Sequence, residues 1–447
     1  MTELARPTAK ASVVEAGPTN QARPVPDIVT ELPGPRAREH IAIDERYVTP
    51  SLPRAYKIVP VRGDGVVIED IDGNRFLDFA AGIAVNSTGH AHPDVVAAIT
   101  EQAASLLHCA SSDYYLPVYA EVARELDRIA PIDTPTRTFL CNSGAEAVEA
   151  AMKLARHHTG RQNLVAFLGA FHGRTYGAMT LTGSKAKYHA HYSPLLPGVY
   201  HVPYGNAGLD ELEQRVFRRL MPASEFAAVF VEPIQGEGGY VVPEPDFLPR
   251  LRDLCDRHGI LLVDDEIQSG MGRTGRWWAI QHWDVQPDIV LAAKGIASGL
   301  PLGAMVARSE LMTWPAGAHG STFGGNPVSC AAALATIRLI EGVFMANAAE
   351  RGAQLLDGMR PLVRRHERIV RDVRGLGLMI GVEFDSAATA DAVQEACFQR
   401  GLLVLTAGEN VVRMSPALSL TREEATIGLD LFGQAVAAID REAQAAD

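Results

Sequence analysis

An apolar run in Asp288-Ile-Val-Leu-Ala-Ala-Lys294-Gly295 ends directly on a lysine. A lysine held against apolar walls loses basicity and becomes a nucleophile toward carbonyls. A lysine at a strand end is also a common surface charge. A second run, Ile260-Leu-Leu-Val, meets three acids, Asp264, Asp265 and Glu266. Ligands of open α/β sheets sit at the carboxyl ends of strands. An acid there can face a cationic ring nitrogen or a metal, or simply a solvated loop. In Cys141-Asn142-Ser143-Gly144-Ala145-Glu146 a strand gives way to a helix across small residues. Free N–H groups at such a start suit phosphate, although an ordinary capped helix reads the same way. Ser321-Thr322-Phe323-Gly324-Gly325-Asn326-Pro327 is a further clasp of that kind, or a turn. Gly270-Met-Gly272-Arg-Thr-Gly275 fits G-x-G-x-x-G, but Asp265 to Ser269 separate it from the strand. Arg276-Trp277-Trp278 then follow, so the dinucleotide fingerprint fails.

These segments need a scaffold. Short β-rich runs at Arg137–Cys141, Leu164–Phe167, Ala227–Glu232, Ile260–Asp264 and Ile289–Ala292 alternate with helical patterns. Near-continuous apolar runs suit strands buried on both faces, and intervening helices imply a largely parallel sheet. The helix over Ala145–His158 opens on a capping box of Ser143 and Glu146. Another helix is expected from Asn326 to about Ala346. Gly65–Phe79 reads as a hairpin around Asp72-Gly73.

The 447 residues suggest two domains. We read residues 1–26 as a flexible tail, 79–345 as the large domain, and 27–78 with 346–447 as a smaller one. The net charge of −12 argues against nucleic acid or an anionic membrane as partner. Five cysteines without a CxxC pair fit reduced thiols, with neither a disulfide framework nor a zinc site. No apolar run reads as a membrane span or signal peptide, so the expected address is cytoplasmic.

Seven stretches in one order resemble the class III pyridoxal-phosphate aminotransferases. They are FAAGIAVNSTGHAHP (79–93), NSGAEAVEAAMKLAR (142–156), AFHGRTYGAMTLTGS (170–184), VEPIQGEGGY (231–240), DDEIQSGMGRTG (264–275), PDIVLAAKG (287–295) and STFGGNP (321–327). The resemblance runs from about Leu32 onward. It implies an α/β protein of fold type I, with a mostly parallel central sheet and a smaller α+β domain built from both chain ends. It implies pyridoxal phosphate as cofactor, with Lys294 as the Schiff-base lysine and proton shuttle. Asp265 would pair with the ring nitrogen. Ser143, Gly144 and Ala145 would bind the phosphate, completed by Thr322 from the partner subunit of a homodimer. Phe171 and Ile267 would cover the ring faces, Gln268 would sit near the ring hydroxyl, and His172 and Glu232 belong to the same surroundings.

The resemblance extends to substrates. Arg413 would bind a carboxylate, Glu237 would neutralise Arg413 when that charge is not needed, and Arg174 would be the second carboxylate receptor. Two guanidinium groups suit 4-aminobutyrate paired with 2-oxoglutarate. Ile83 resembles the 4-aminobutyrate branch more than the ornithine branch. Acetylornithine and ornithine aminotransferases share much of this pattern. So do amino-acid racemases of the family, in which Glu237 would be a second acid or base. The expected partners are amino acids and 2-oxo acids, and the expected assembly is a homodimer or a dimer of dimers.

Overall fold

The structure is a computed structural model that describes residues 24–446. The tail read for residues 1–26 falls almost entirely outside the described residues.

Seven strands form the main sheet: β4 (Thr136–Cys141), β5 (Asn163–Phe167), β6 (Val199–Val202), β7 (Phe226–Val231), β8 (Leu261–Asp265), β9 (Ile289–Ala292) and β10 (Gly303–Arg308). Their order is β4-β10-β9-β8-β7-β5-β6. Six run in one direction, and β10 runs against its neighbours β4 and β9. Five of the seven match the apolar runs of the sequence. β6 and β10 are not among them: β6 is a short mixed VYHV at the edge, and β10 (GAMVAR), although apolar, returns antiparallel after a one-turn hook at Lys294–Ala297. β4 is also less buried than expected, because it lies at the opposite edge.

Successive side chains of the central strands leave for opposite faces. Val229, Leu262 and Val290 enter one core, while Phe230, Val263 and Leu291 enter another against the Gly144–Thr159 helix. That helix is capped as expected on one side only. The Ser143 hydroxyl accepts from Glu146 N at 3.3 Å, but the Glu146 carboxylate turns back to Asn142 N at 2.7 Å. The reciprocal half of the box has slipped one residue toward the strand.

The hairpin pairs Val67–Asp70 (β2) with Arg75–Asp78 (β3), and β1 (Pro60–Asp64) extends it. Leu402–Leu403 (β13) joins β3 in parallel, tying the two chain ends into one sheet. A separate antiparallel sheet of β11 (Val370–Leu376), β12 (Met379–Phe384), β15 (Val411–Met414) and β14 (Leu405–Ala407) carries Arg413 opposite Gly381.

The helix after Asn326 does not stop near Ala346. It runs through a π-helical turn at Ile340–Phe344 into Met345–Met359, so position 345 lies inside continuous helix. By length and composition this run would also suit a membrane span. Its Cys330, Ala332, Ala333 and Ile337 lie instead in the main core, against the helices Pro93–Ser105 and Pro117–Ile129. The GMGRTG segment packs on the same helix. Gly272 and Gly275 have φ of +82° and +85°, and a Cβ would lie 2.7 Å from Ile340 and 2.8 Å from Ala349. Its glycines serve packing, and no helix opens at Gly275.

Candidate active site

A cavity of about 480 Å³ opens at the carboxyl ends of the main strands. The start of the Gly144–Thr159 helix forms one wall, with Ser143, Gly144 and Ala145 on the cavity. Gly144 leaves room for the Ile267 side chain, whose Cδ1 would lie 2.7 Å from a Cβ there. Phe171, His172 and Arg174 follow β5, Glu232 follows β7, Asp265 ends β8 with Ile267 and Gln268 beyond, and Lys294 follows β9. These five sequence segments thus meet in this cavity, and Glu237 and Arg413 form a second cluster close enough to act on the Lys294 charge.

The three acids separate by strand geometry, and none lies in a solvated loop. Asp265 faces the cavity, where its Oδ2 meets Nδ1 of His172 at 2.7 Å and its Oδ1 accepts from Ile267 N at 3.1 Å. Asp264 points to the other face of the sheet, fully buried, with neither oxygen bonded among the described residues. Burial, then the charges of Glu266 and Asp265, push its pKa well up. Glu266 is a structural brace that accepts from Ser269 and from Ile280 N.

Lys294 has a positive φ of 44°, a conformation that L side chains rarely adopt. Burial, then the Arg413 guanidinium, lower its pKa to about 8, against the opposing pull of Glu232, Asp265 and Glu237. Glu232 accepts from Phe171 N and Gly236 N, and burial raises its carboxyl to about 7. His172 stays above the ordinary histidine range: burial lowers it, and the bond to Asp265 outweighs that.

Glu237 and Arg413 meet 3.3 Å apart. Lys185 Nζ and the Tyr188 hydroxyl also donate to Glu237, at 3.1 Å and 3.2 Å. Burial works against the ionised form of Glu237, but Arg413 and Lys185 hold its pKa below the ordinary value. Arg174 lies over the Tyr188 ring at 4.7 Å. Sequence reasoning missed Lys185 and Tyr188, because no local spacing relates them to an acid about fifty residues on.

Two expected residues lie away from the cavity. Thr322 is exposed, in a loop that Ser321 ties to Asn142 at 3.2 Å. Ile83 is 47% exposed, in a left-handed turn where Ala81, Ile83 and Ala84 all have positive φ. Its neighbour Val85 reaches the cavity wall.

The family profile for Aminotransferase class-III matches residues 50–436. The chain belongs to the class III aminotransferases. This aminotransferase is 44% identical over 370 residues to the acetylornithine aminotransferase of Methanopyrus kandleri, covering 83% of the chain and 92% of the relative. It is 38% identical over 441 residues to the alanine/serine racemase of Pyrococcus horikoshii, covering 92% of each. An ornithine aminotransferase structure from Toxoplasma gondii superposes with a TM-score of 0.83 at 32% identity, covering 91% of this chain and 95% of that one. That structure holds pyridoxal phosphate at partial occupancy in its active site.

Pyridoxal phosphate is accordingly the cofactor of this aminotransferase, and the cavity fits it. Gln268 Oε1 is buried with no hydrogen-bond partner among the described residues, as a side chain awaiting a ligand would be. A helix start suited to an anion, an acid suited to a ring nitrogen and a weakly basic lysine share the same walls.

Proposed function

We propose that the protein moves the terminal amino group of an N-acetylornithine- or ornithine-like donor to 2-oxoglutarate, as a homodimer in the cytoplasm. The carrying observation is the Glu237–Arg413 pair beside an Arg174 that has no ion pair among the described residues. One guanidinium stands ready and one is masked. A donor presenting one carboxylate uses Arg174. A dicarboxylate needs Arg413 as well, and Glu237 must then yield. Relatives named for acetylornithine support this donor over 4-aminobutyrate, which offers the same layout of one carboxylate and a terminal amine.

When bound, the cofactor supplies an electron sink for the carbon that loses its proton. Asp265 holds the ring nitrogen's proton, and His172 orients Asp265 in turn. Ser143, Gly144 and Ala145 bind the phosphate, with Thr322 from the partner subunit. Phe171 and Ile267 confine the ring faces, while Gln268 and Glu232 orient its polar edge. Lys294 Nζ, weakly basic, would take up the proton from the amino-bearing carbon and hold it as an ammonium.

Stopped-flow half-reactions of the wild type and Glu237→Gln test this reading. N-acetylornithine, ornithine, 4-aminobutyrate and glutamate are the amines. Glu237→Gln should slow the donor half-reaction more than the glutamate half-reaction, because an unmasked Arg413 is left unpaired. The racemase relative motivates a second reading, in which Glu237 is the second proton carrier. Rapid inversion of a single amino acid by the wild type, with no 2-oxoglutarate present, would establish that reading in place of the first.

A further inference from the structure

Glu237 is shared between two cations. Its Oε2 faces Arg413 at 3.3 Å, and its Oε1 faces Lys185 at 3.1 Å. The two contacts use different oxygens, so one can break while the other holds. Arg413 is 7% exposed, and its Nε is buried with no hydrogen-bond partner among the described residues. Lys185 immediately precedes the 3₁₀ turn Ala186–Tyr188. Tyr188 N closes the turn on Lys185 O at 3.1 Å, so the two residues lie close together, and both side chains donate to one oxygen of Glu237. The Tyr188 ring also carries the Arg174 guanidinium at 4.7 Å. One turn of chain therefore touches both the masking carboxylate and the second receptor.

We propose that Lys185 and Tyr188 form a holding seat for the Glu237 carboxylate, occupied when a substrate carboxylate takes Arg413. This rests on the reading that the site alternates between a donor that leaves Arg413 masked and a dicarboxylate that does not. The physical need is plain. A partly buried carboxylate that loses its only cation is costly. With Lys185 already on its other oxygen, Glu237 keeps a cation throughout, and unmasking Arg413 breaks one ion pair of two. Without Lys185, Glu237 turns wholly to Arg413 and competes with the incoming ligand. Lys185 is thus a positioning residue, acting on dicarboxylate preference through Glu237.

The test is equilibrium binding of glutarate to the holoenzyme by calorimetry. Glutarate carries two carboxylates and neither an amino nor an oxo group, so its binding is read apart from amino transfer. Lys185→Met should weaken glutarate about fivefold to tenfold in the native background, the range of a coupled pair. In a Glu237→Gln background the same change should have almost no effect. Lys185→Arg should restore binding, and Tyr188→Phe should give a smaller loss in the same direction. A direct attraction of Lys185 for the ligand would give equal losses in both backgrounds, which overturns the proposal. So would native affinity in both Lys185→Met and Tyr188→Phe. A wild type that transfers no amino group to 2-oxoglutarate would sink the proposed function, while the glutarate cycle would still decide the seat.

Discussion

Lys294 is constrained by its own backbone and by four charged neighbours. Its left-handed φ of 44° costs about 1–3 kcal/mol, which the surrounding structure must offset. That conformation follows directly on β9, so the side chain leaves the strand end toward the cavity rather than along the sheet. Burial and Arg413 disfavour its charged form, while Glu232, Asp265 and Glu237 favour it. The net result is a pKa of about 8. If Lys294 is the residue that takes the cofactor, its neutral amine would be the reactive form, so the apoenzyme should capture pyridoxal phosphate faster as pH rises, levelling above about pH 8. Arg413→Met removes a repelling cation and leaves Glu237 without its larger counter-charge. Both changes favour protonated Lys294, so the midpoint should move up. Rates followed by absorbance over pH 6–10 would check this, and an unmoved or lowered midpoint in the variant would exclude the electrostatic account.

At the scale of elements, the GMGRTG loop shows how a motif can be read for the wrong partner. Its Gly272 and Gly275 face a helix, not a nucleotide. Gly275 has φ +85°, and an added Cβ would lie 2.8 Å from Ala349 Cβ and 3.2 Å from Ala349 Cα. Helix backbone cannot yield cheaply, so Gly275→Ala should destabilise the fold by roughly 1–3 kcal/mol. The half-reactions should stay native, because this loop position does not line the cavity. A denaturant midpoint equal to wild type would refute the packing role. The elements legible in the sequence were those with a one-dimensional signature: apolar central strands, a capped helix, a hairpin around Asp72-Gly73. β10 was not, because nothing local announces that a strand returns antiparallel between β4 and β9. The continuation past Ala346 to Met359 was not, because the π-helical turn at Ile340–Phe344 shifts the period on which the apolar face repeats. Lys294 and Asp265 were legible at strand ends, and Arg413 and Glu237 by resemblance. Lys185, Tyr188 and the His172–Asp265 bond depend on contacts across long separations, which periodicity does not report.

At the scale of the whole molecule, one surface stands apart. The segment from Leu106 to Tyr115 leaves Leu107 64%, Tyr114 62% and Tyr115 104% exposed, and Phe323 is 62% exposed. These residues form one neighbourhood, since the His108 and Phe323 rings lie 5.1 Å apart and Ser111 donates to Gly324 O at 3.2 Å. Large apolar side chains grouped this way mark a contact surface. The surface includes the loop bearing Thr322, which the family resemblance assigns to a neighbour's phosphate. A homodimer that covers this patch would carry Thr322 with it, so stability of the pair and completion of the site would depend on one interface. Light scattering should then give twice the 48.1 kDa chain mass at assay concentration. Replacing Tyr115 and Phe323 together by Asp should yield monomers, because burying two unpaired carboxylates opposes association. Those monomers should hold the cofactor more weakly and lose at least about tenfold in activity, as expected when a charge-assisted phosphate contact is gone. Thr322→Ala should weaken cofactor retention without dissociating the dimer. A monomeric wild type that turns over fully would separate the patch from the site and leave Thr322 with no role in it.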